Sequence, residues 1–164
     1  MSKPSDLWTF LCEERSARRE FDQSHLNLAG YYHPNFQRPG SLHTKSAYLL
    51  NEDAHLFDHT FFGLNPAMVA SMDPNQRKML EVAYEALESA GEPLESVSGE
   101  NIGVFVGNMA ADNQIMLAHD VDFAPQHAST GMSTAILSNR INHVFNLRGP
   151  RYESFVRYIC GYTK

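Results

Sequence analysis

The alternation of apolar and polar positions changes period along this chain, and each change predicts an element. From residue 74 to 90, Met79, Leu80, Val82, Ala83, Ala86, Leu87 and Ala90 recur at helical spacing, while Lys78, Glu81, Glu85 and Glu88 fall largely on the other side. This pattern predicts a helix with one face built to be covered. Its ends are marked locally: Asp73 caps it, Pro74 loses nothing at the first helical position, Gln76 completes a capping-box-like arrangement, and Gly91 stops it.

Residues 101–107 read Asn-Ile-Gly-Val-Phe-Val-Gly, a continuous apolar run between glycines that predicts a strand buried on both faces. Shorter helices are predicted over residues 5–14, with Ser5 as cap and Leu7, Trp8, Phe10 and Leu11 on one side, over 65–72, with Asn65 as cap and Pro66 opening it, and over 112–119. A longer helix over 133–147 presents Ile136, Leu137, Ile141, Val144 and Phe145 and is closed by Arg148, Gly149 and Pro150. Residues 46–50 suit a short strand, 57–63 an apolar cluster ending in a turn glycine, and 155–159 another strand. Residues 15–44 show no period, and Gly30, Pro34, Pro39 and Gly40 punctuate a stretch carrying Phe21, Tyr31, Tyr32 and Phe36. A loop of that length with no element of its own is unusual in a compact domain and hints at missing structure that packs against it.

Composition removes several function classes. With 164 residues, 43% of them hydrophobic and 20% charged, the chain is sized and composed as one soluble globular domain. Its 13 Lys and Arg are scattered and outnumbered by 19 Asp and Glu, which argues against a nucleic-acid partner. There is no apolar run of the roughly 18 residues a membrane span needs, and Met1 to Trp8 lack the regions of a signal peptide. The expectation is therefore a cytoplasmic protein with no membrane partner. Cys12 and Cys160 show no paired spacing, which argues against a disulfide framework or a zinc site.

Three stretches carry a family resemblance: Phe57-Asp58-His59-Thr60-Phe61-Phe62-Gly63-Leu64-Asn65-Pro66, then Met72-Asp73-Pro74-Asn75-Gln76-Arg77, then Leu80-Glu81-Val82-Ala83-Tyr84-Glu85-Ala86-Leu87-Glu88. In the same order follow Gly91, Gly103-Val104-Phe105-Val106-Gly107, Ser129-Thr130-Gly131, Ile136-Leu137-Ser138-Asn139-Arg140-Ile141 and Leu147-Arg148-Gly149-Pro150. Ordered in this way, they resemble the ketosynthase domain of polyketide synthases over residues 4–150, and the Ser-Asn-Arg wording is most similar to fungal highly reducing synthases. Taken singly, most of these positions shape a fold rather than perform chemistry.

The resemblance implies an α/β, thiolase-like fold in incomplete form: the N-terminal half of a β-ketoacyl synthase domain, lacking the first strand and everything from the nucleophile elbow onward. Residues 151–164 are expected to be a divergent tail. It also implies a parent reaction. A cysteine thiolate accepts an acyl chain, two histidines assist decarboxylation of a malonyl unit on an acyl carrier protein, and the resulting carbanion attacks the thioester. A thiolate suits this work because it is nucleophilic at accessible pH and leaves well.

In the family that cysteine stands in an Asp-Thr-Ala-Cys-Ser-Ser stretch shortly after the Gly-Pro that matches Gly149-Pro150. Here the chain continues Arg151-Tyr152-Glu153-Ser154-Phe155-Val156-Arg157-Tyr158-Ile159-Cys160. Tyr158 falls where the cysteine should be, and Cys160 comes two residues late, without the flanking residues of a nucleophile elbow. No catalytic, cofactor-binding or metal-binding residue is therefore assigned, and no cofactor is implied. Cys160 is read as a half-buried or tail cysteine; a distinct cysteine enzyme built on it ranks last, because no base or oxyanion site accompanies it.

His55 and His59 stand four apart with Asp58 between them, a spacing that on a helix puts two ligands on one face. That stretch belongs to the family motif, and no third ligand is indicated. His127 and His143 read as solvated or packed side chains. The function expected is thus that of a ketosynthase fragment inactive on its own, from a truncated gene product or a gene whose last exon strays from the true frame. The alternative is a non-catalytic interaction protein that associates with a full-length synthase through its residual dimer surface. Residues 126–132 bear on that alternative, since in the resembling family this region lies near the dimer interface and the partner's acyl pocket. Family partners are an acyl carrier protein bearing acyl and malonyl thioesters and a second ketosynthase copy. With its neighbours missing, the strand at 102–106 is expected to have unpaired edges, and the chain to be insoluble or dependent on a partner.

Overall fold

The computed structural model describes residues 4–22, 26–50, 53–109, 111–119, 122 and 126–155. The chain divides into two compact units, Met1–Asp53 and Ala54–Lys164.

The first unit holds α1 (Pro4–Cys12), β1 (Arg18–Glu20), α2 (Leu28–Tyr31) and β2 (Ser46–Tyr48). The expectation of an element-free loop over 15–44 is corrected here. β1 pairs antiparallel with β2, Arg18 opposite Tyr48 and Glu20 opposite Ser46, and Phe21 N–H extends the ladder to the Lys45 carbonyl at 3.1 Å. The bend between them is pinned at its base, because His33 N–H donates to the Leu42 carbonyl at 2.8 Å and Leu42 N–H to the Tyr31 carbonyl at 2.7 Å. Neither interaction has a sequence period, so neither was legible as a repeat. α1 begins at Pro4 rather than after a Ser5 cap; Ser5 lies inside the helix and its carbonyl accepts from the Thr9 hydroxyl. Its apolar side remains open, with Trp8 70% exposed.

The second unit holds α3 (Pro66–Ala70), α4 (Pro74–Ala90), α5 (Leu94–Val97), β3 (Val104–Asn108), α6 (Asp112–Ala118), α7 (Ala128–Met132), a 3-10 turn over Thr134–Ile136, α8 (Leu137–Val144) and β4 (Arg151–Phe155). α3 starts as expected, with the Asn65 carboxamide accepting from Ala67 N–H at 2.8 Å. α4 keeps the expected bounds: the Asp73 carboxylate accepts from Asn75 N–H at 2.7 Å, and Gly91 ends the helix at φ 75°, a conformation a side chain would resist.

Met72, Leu80, Val106, Leu137, Ile141 and Phe145 form the buried core, with Phe57, Phe62, Leu64, Val69 and Ala83 packed against it. α8 is its centre, lying against α4 on one side and β3 and β4 on the other. Leu80, with no exposed surface, contributes roughly 1.5–3 kcal/mol by its removal from water. The covered stripe of α4 is narrower than expected. Met79 and Val82 are exposed, because α8 meets the helix along the line of Gln76 and Leu80, the two buried residues of α4.

The strand around residue 104 departs from expectation twice. β3 pairs in parallel with β4, Val104 opposite Arg151 through Asn108 opposite Phe155, so one of its edges is occupied. It is buried on one face only: Val106 is covered, whereas Phe105 is 71% exposed. Apolar residues at every position require two covering layers; α8 packs against β3, while the face that carries Phe105 is open. β4 occupies Arg151–Phe155 rather than 155–159; residues 156–159 of the expected strand lie outside the described residues. The helix expected over 133–147 divides into the 3-10 turn and α8.

Candidate functional site

The turn that feeds β4 depends on a close backbone approach. Gly149 is buried, and a side chain there would overlap the Ile102 carbonyl and the Gly103 amide, so only glycine lets the two segments meet. Around it, Arg148 N–H donates to the Glu100 carbonyl at 2.9 Å and Val104 N–H to the Pro150 carbonyl at 2.9 Å. From α8, the Asn142 carboxamide donates to the Gly149 carbonyl at 3.2 Å. Asn142 is buried, and its Oδ1 has no donor among the described residues. Together these contacts aim β4 along β3 from a fixed starting point.

A second polar arrangement holds α7. The Gln76 side chain, 1% exposed, directs Nε2 at the carbonyls of Thr130, Gly131 and Ser133, at 3.1, 2.9 and 3.3 Å. Its Oε1 accepts from Arg140 Nε at 3.3 Å. The Arg140 guanidinium also donates to the Thr130 carbonyl at 3.2 Å and the Met68 sulfur at 3.0 Å. Asp73 N–H reaches the Gly131 carbonyl at 2.8 Å, and a side chain at Gly131 would overlap the Ser71 carbonyl. Burial pushes the Arg140 guanidinium pKa down. Among the described residues no carboxylate stands within ion-pair distance of it, so neutral acceptors meet the cost of burying the cation. The clamp fixes the main chain from Thr130 to Ser133. Sequence reasoning missed it, because Gln76 three residues after Asp73 also matches a helix-capping offset. Its true partners lie more than fifty positions away.

The Asp58 carboxylate organises the turn before α3. It accepts from the Thr60 hydroxyl and from Thr60 and Phe61 N–H at 3.0 and 3.1 Å. The Thr60 hydroxyl, first of all, with these amides and the nearby His59, holds its carboxyl below the usual aspartate range. His59 Nδ1 sits 3.2 Å from the Leu64 carbonyl, so the ring serves the turn. His127 precedes α7, its carbonyl accepting from Gly131 N–H at 2.8 Å, and His143 is exposed in the last turn of α8. Among the described residues no three His, Cys, Asp or Glu side chains converge as a metal site. Cys12 is exposed on α1; Tyr158 and Cys160 lie outside the described residues.

A cleft of about 650 Å³ opens between Phe61, Tyr84, Glu88, Glu92, Leu94 and Glu95. Three carboxylates on its rim repel a malonyl or phosphate group, so it does not suit a carrier-borne thioester.

Residues 1–154 match the profile of the β-ketoacyl synthase, N-terminal domain. The chain belongs to that β-ketoacyl synthase family. It is 50% identical over 146 residues to prosolanapyrone synthase of Alternaria solani, covering 89% of this chain and 6% of that one. It is 49% identical over 152 residues to a highly reducing polyketide synthase of Pyrenophora dematioidea, covering 92% and 6%. Among solved structures, the ketosynthase from module 6 of the bacillaene synthase of Bacillus subtilis 168 superposes with a TM-score of 0.76 at 30% identity, over 92% of this chain and 24% of that one. The oxazolomycin ketosynthase domain from Streptomyces albus JA3453 does so at 0.78 and 26% identity, over 92% and 26%.

The fold is therefore part of the thiolase-like ketosynthase architecture. This ketosynthase segment spans about a twentieth of the length of the synthases and about a quarter of the solved ketosynthases. The resemblance to fungal highly reducing synthases, read from the Ser138-Asn139-Arg140 wording, agrees with these relatives. In the structure Ser138 and Arg140 are buried on α8, with Arg140 forming half of the clamp.

Proposed function

We propose that residues 4–150 are the N-terminal part of a polyketide synthase ketosynthase domain, followed by a tail, 151–164, whose sequence departs from the family's. The parent reaction is decarboxylative Claisen condensation. A cysteine thiolate displaces the carrier thiol from an acyl thioester, a malonyl thioester loses carbon dioxide to give an enolate, and the enolate carbon attacks the enzyme-bound thioester. The new carbon–carbon bond forms as the carbon–sulfur bond to the enzyme breaks, which regenerates the thiolate. On this reading an acyl carrier protein and a second ketosynthase copy are the natural partners and the cytoplasm the natural location. No helix among the described residues is long and apolar enough to cross a membrane.

The 164-residue chain alone does not carry out this reaction. One observation supports that reading: the Gly149 turn delivers β4 in register beside β3, yet the sequence it carries toward the nucleophile position puts Tyr158 where a thiol belongs. A phenol, with an ordinary pKa of about 10, stays protonated at neutral pH and is no substitute for a thiolate. The test is to incubate the purified chain with acyl- and malonyl-loaded carrier protein and analyse the products by mass spectrometry. No β-ketoacyl product above the protein-free blank is expected; its formation would overturn the reading.

A non-catalytic interaction protein is the second reading, favoured by the clamp that orders Thr130–Ser133 independently of any thiol. Capture of a full-length highly reducing synthase by the tagged chain, lost on Gln76→Leu, supports this role. Equal capture by both forms counts against it.

A further inference from the structure

We propose that Ser16 is an acceptor site for phosphorylation by a basophilic protein kinase, and that the phosphate it receives is held by Arg18. α1 is brought to a stop where Glu14 takes φ 51° and Arg15 N–H donates back to the Phe10 carbonyl at 3.2 Å. β1 begins at Arg18. Between them Arg15, Ser16 and Ala17 belong to no element and are all exposed, so the Ser16 hydroxyl is presented on a surface stretch with no regular structure to unwind. Acidic residues outnumber basic ones in the chain as a whole, yet Arg15, Arg18 and Arg19 flank this one hydroxyl on both sides. Such a run is recognised by carboxylates lining a kinase's substrate groove, through charge-assisted bonds to each guanidinium.

The state of the hydroxyl points the same way. Ser16 Oγ accepts from Arg18 N–H at 3.2 Å, and among the described residues its own proton meets no acceptor. Neighbouring hydroxyls are tied: Thr9 donates to the Ser5 carbonyl at 3.1 Å and Ser41 to the Arg38 carbonyl at 2.7 Å. Ser41 is the nearest rival, since Arg38 stands three residues before it, but it is half-buried and its proton is engaged. In the transfer, Ser16 Oγ bonds to the γ-phosphorus of Mg-ATP as the bond from that phosphorus to the bridging oxygen breaks; ADP leaves and the hydroxyl proton passes to the kinase's base. The product carries a charge of about −1.5 to −2 at neutral pH and three acceptor oxygens. It keeps the Arg18 N–H, now in a charge-assisted bond. The exposed Arg18 guanidinium, whose contact with Thr44 Oγ1 is at the limit of bonding length at 3.5 Å, turns to the phosphate. Arg15 is less free, because it pairs with Glu13 at 2.7 Å and lies over the Phe10 ring. The phosphate thereby ties the end of α1 to the start of β1, in a unit none of whose described residues is buried.

The experiment incubates the full 164-residue chain with the catalytic domain of protein kinase C and Mg-ATP and maps the phosphate by tandem mass spectrometry. Ser16 is expected to be the principal site, with Ser16→Ala removing it and Ser41→Ala leaving its rate unchanged. Arg18→Gln together with Arg19→Gln is expected to slow phosphorylation at least about tenfold, as loss of paired charge contacts does. A kinase also accepts an unfolded chain, so the contact in the product is read separately by NMR. The Arg18 amide and guanidinium Nε–H resonances are expected to shift as the phosphate loses its second proton, at about pH 6, while the amides of α4 and α8 stay in place. Phosphate on Ser41 or another hydroxyl in preference to Ser16, an undiminished rate in the double arginine variant, or Arg18 resonances that ignore the phosphate each overturn the proposal. Condensation by the chain alone overturns the functional reading instead, so the two failures are distinct.

Discussion

At Gln76 one uncharged amide meets three carbonyls and a buried guanidinium, so its removal exposes an asymmetry between partners. Gln76→Leu preserves bulk but strands these acceptors and deprives Arg140 of Oε1, at a cost of about 2–3 kcal/mol. Arg140→Met removes the cation together with its burial cost and is expected to destabilise less. Urea midpoints followed by far-UV circular dichroism decide it, and equal losses in the two variants would sink the account. Asp58 supplies a test in pH. Its carboxyl is held below its ordinary value, chiefly by the Thr60 hydroxyl, so the stabilisation it gives is complete above the unfolded value of about 3.9 and is lost as the pH falls through the lower folded value. Amide protection at Thr60 and Phe61 should fade on acidification below about pH 4, and Thr60→Val should move that loss to higher pH, as NMR-detected exchange would register. Neither group's role was fully legible in the sequence. Asp58 and Gln76 both stand within family motifs, but a motif reports that a residue is present without reporting what it touches.

Elements whose ends are fixed by neighbouring residues were the ones read correctly. Asp73, Pro74 and Gly91 bound α4 because capping acts over two or three positions, and Asn65 and Pro66 start α3 for the same reason. Asp73→Ala is expected to cost about 1 kcal/mol, measured as a lowered urea midpoint with α4 exchange preferentially accelerated. Elements fixed by distant partners were misplaced. β1 exists because it pairs with β2, about 28 residues on. β4 falls at Arg151–Phe155 because Gly149 sets where the chain can turn alongside Ile102, a constraint that no residue within the strand announces. Gly149→Ala should therefore release β4 more than it harms α8. Loss of protection at residues 151–155 with α8 still protected is the expected pattern, and simultaneous loss in both would contradict it. The family was legible for the opposite reason: its motifs are identities at positions, and the match of residues 1–154 to the β-ketoacyl synthase profile needs no tertiary information to be seen.

For the molecule as a whole, the distribution of burial decides what holds together. Among the described residues every buried large apolar side chain lies between Met72 and Phe145, and none of those up to Leu50 is buried. The first unit carries Trp8, Leu11, Phe36 and Tyr48 largely exposed, so hydrogen bonds such as those of β1 with β2 must hold it without an apolar core. Hydrogen bonds contribute only about 1 kcal/mol net apiece, against an ordering cost of roughly 1–2 kcal/mol for each residue's backbone. The balance favours opening of this unit while the α4–α8 core stays closed. Trp8 is the only tryptophan and lies in the first unit, which makes the two processes separable. In the isolated chain, Trp8 fluorescence should change at lower urea than exchange protection of α4 and α8, and amides 18–48 should exchange orders of magnitude faster than those around Leu80. A single coincident transition by both probes would show that the first unit draws stability from a source its own burial does not reveal. If the transitions separate in isolation but merge when the rest of a ketosynthase is present, the order of residues 4–50 depends on that larger body, which would also explain why so many aromatic side chains there meet water.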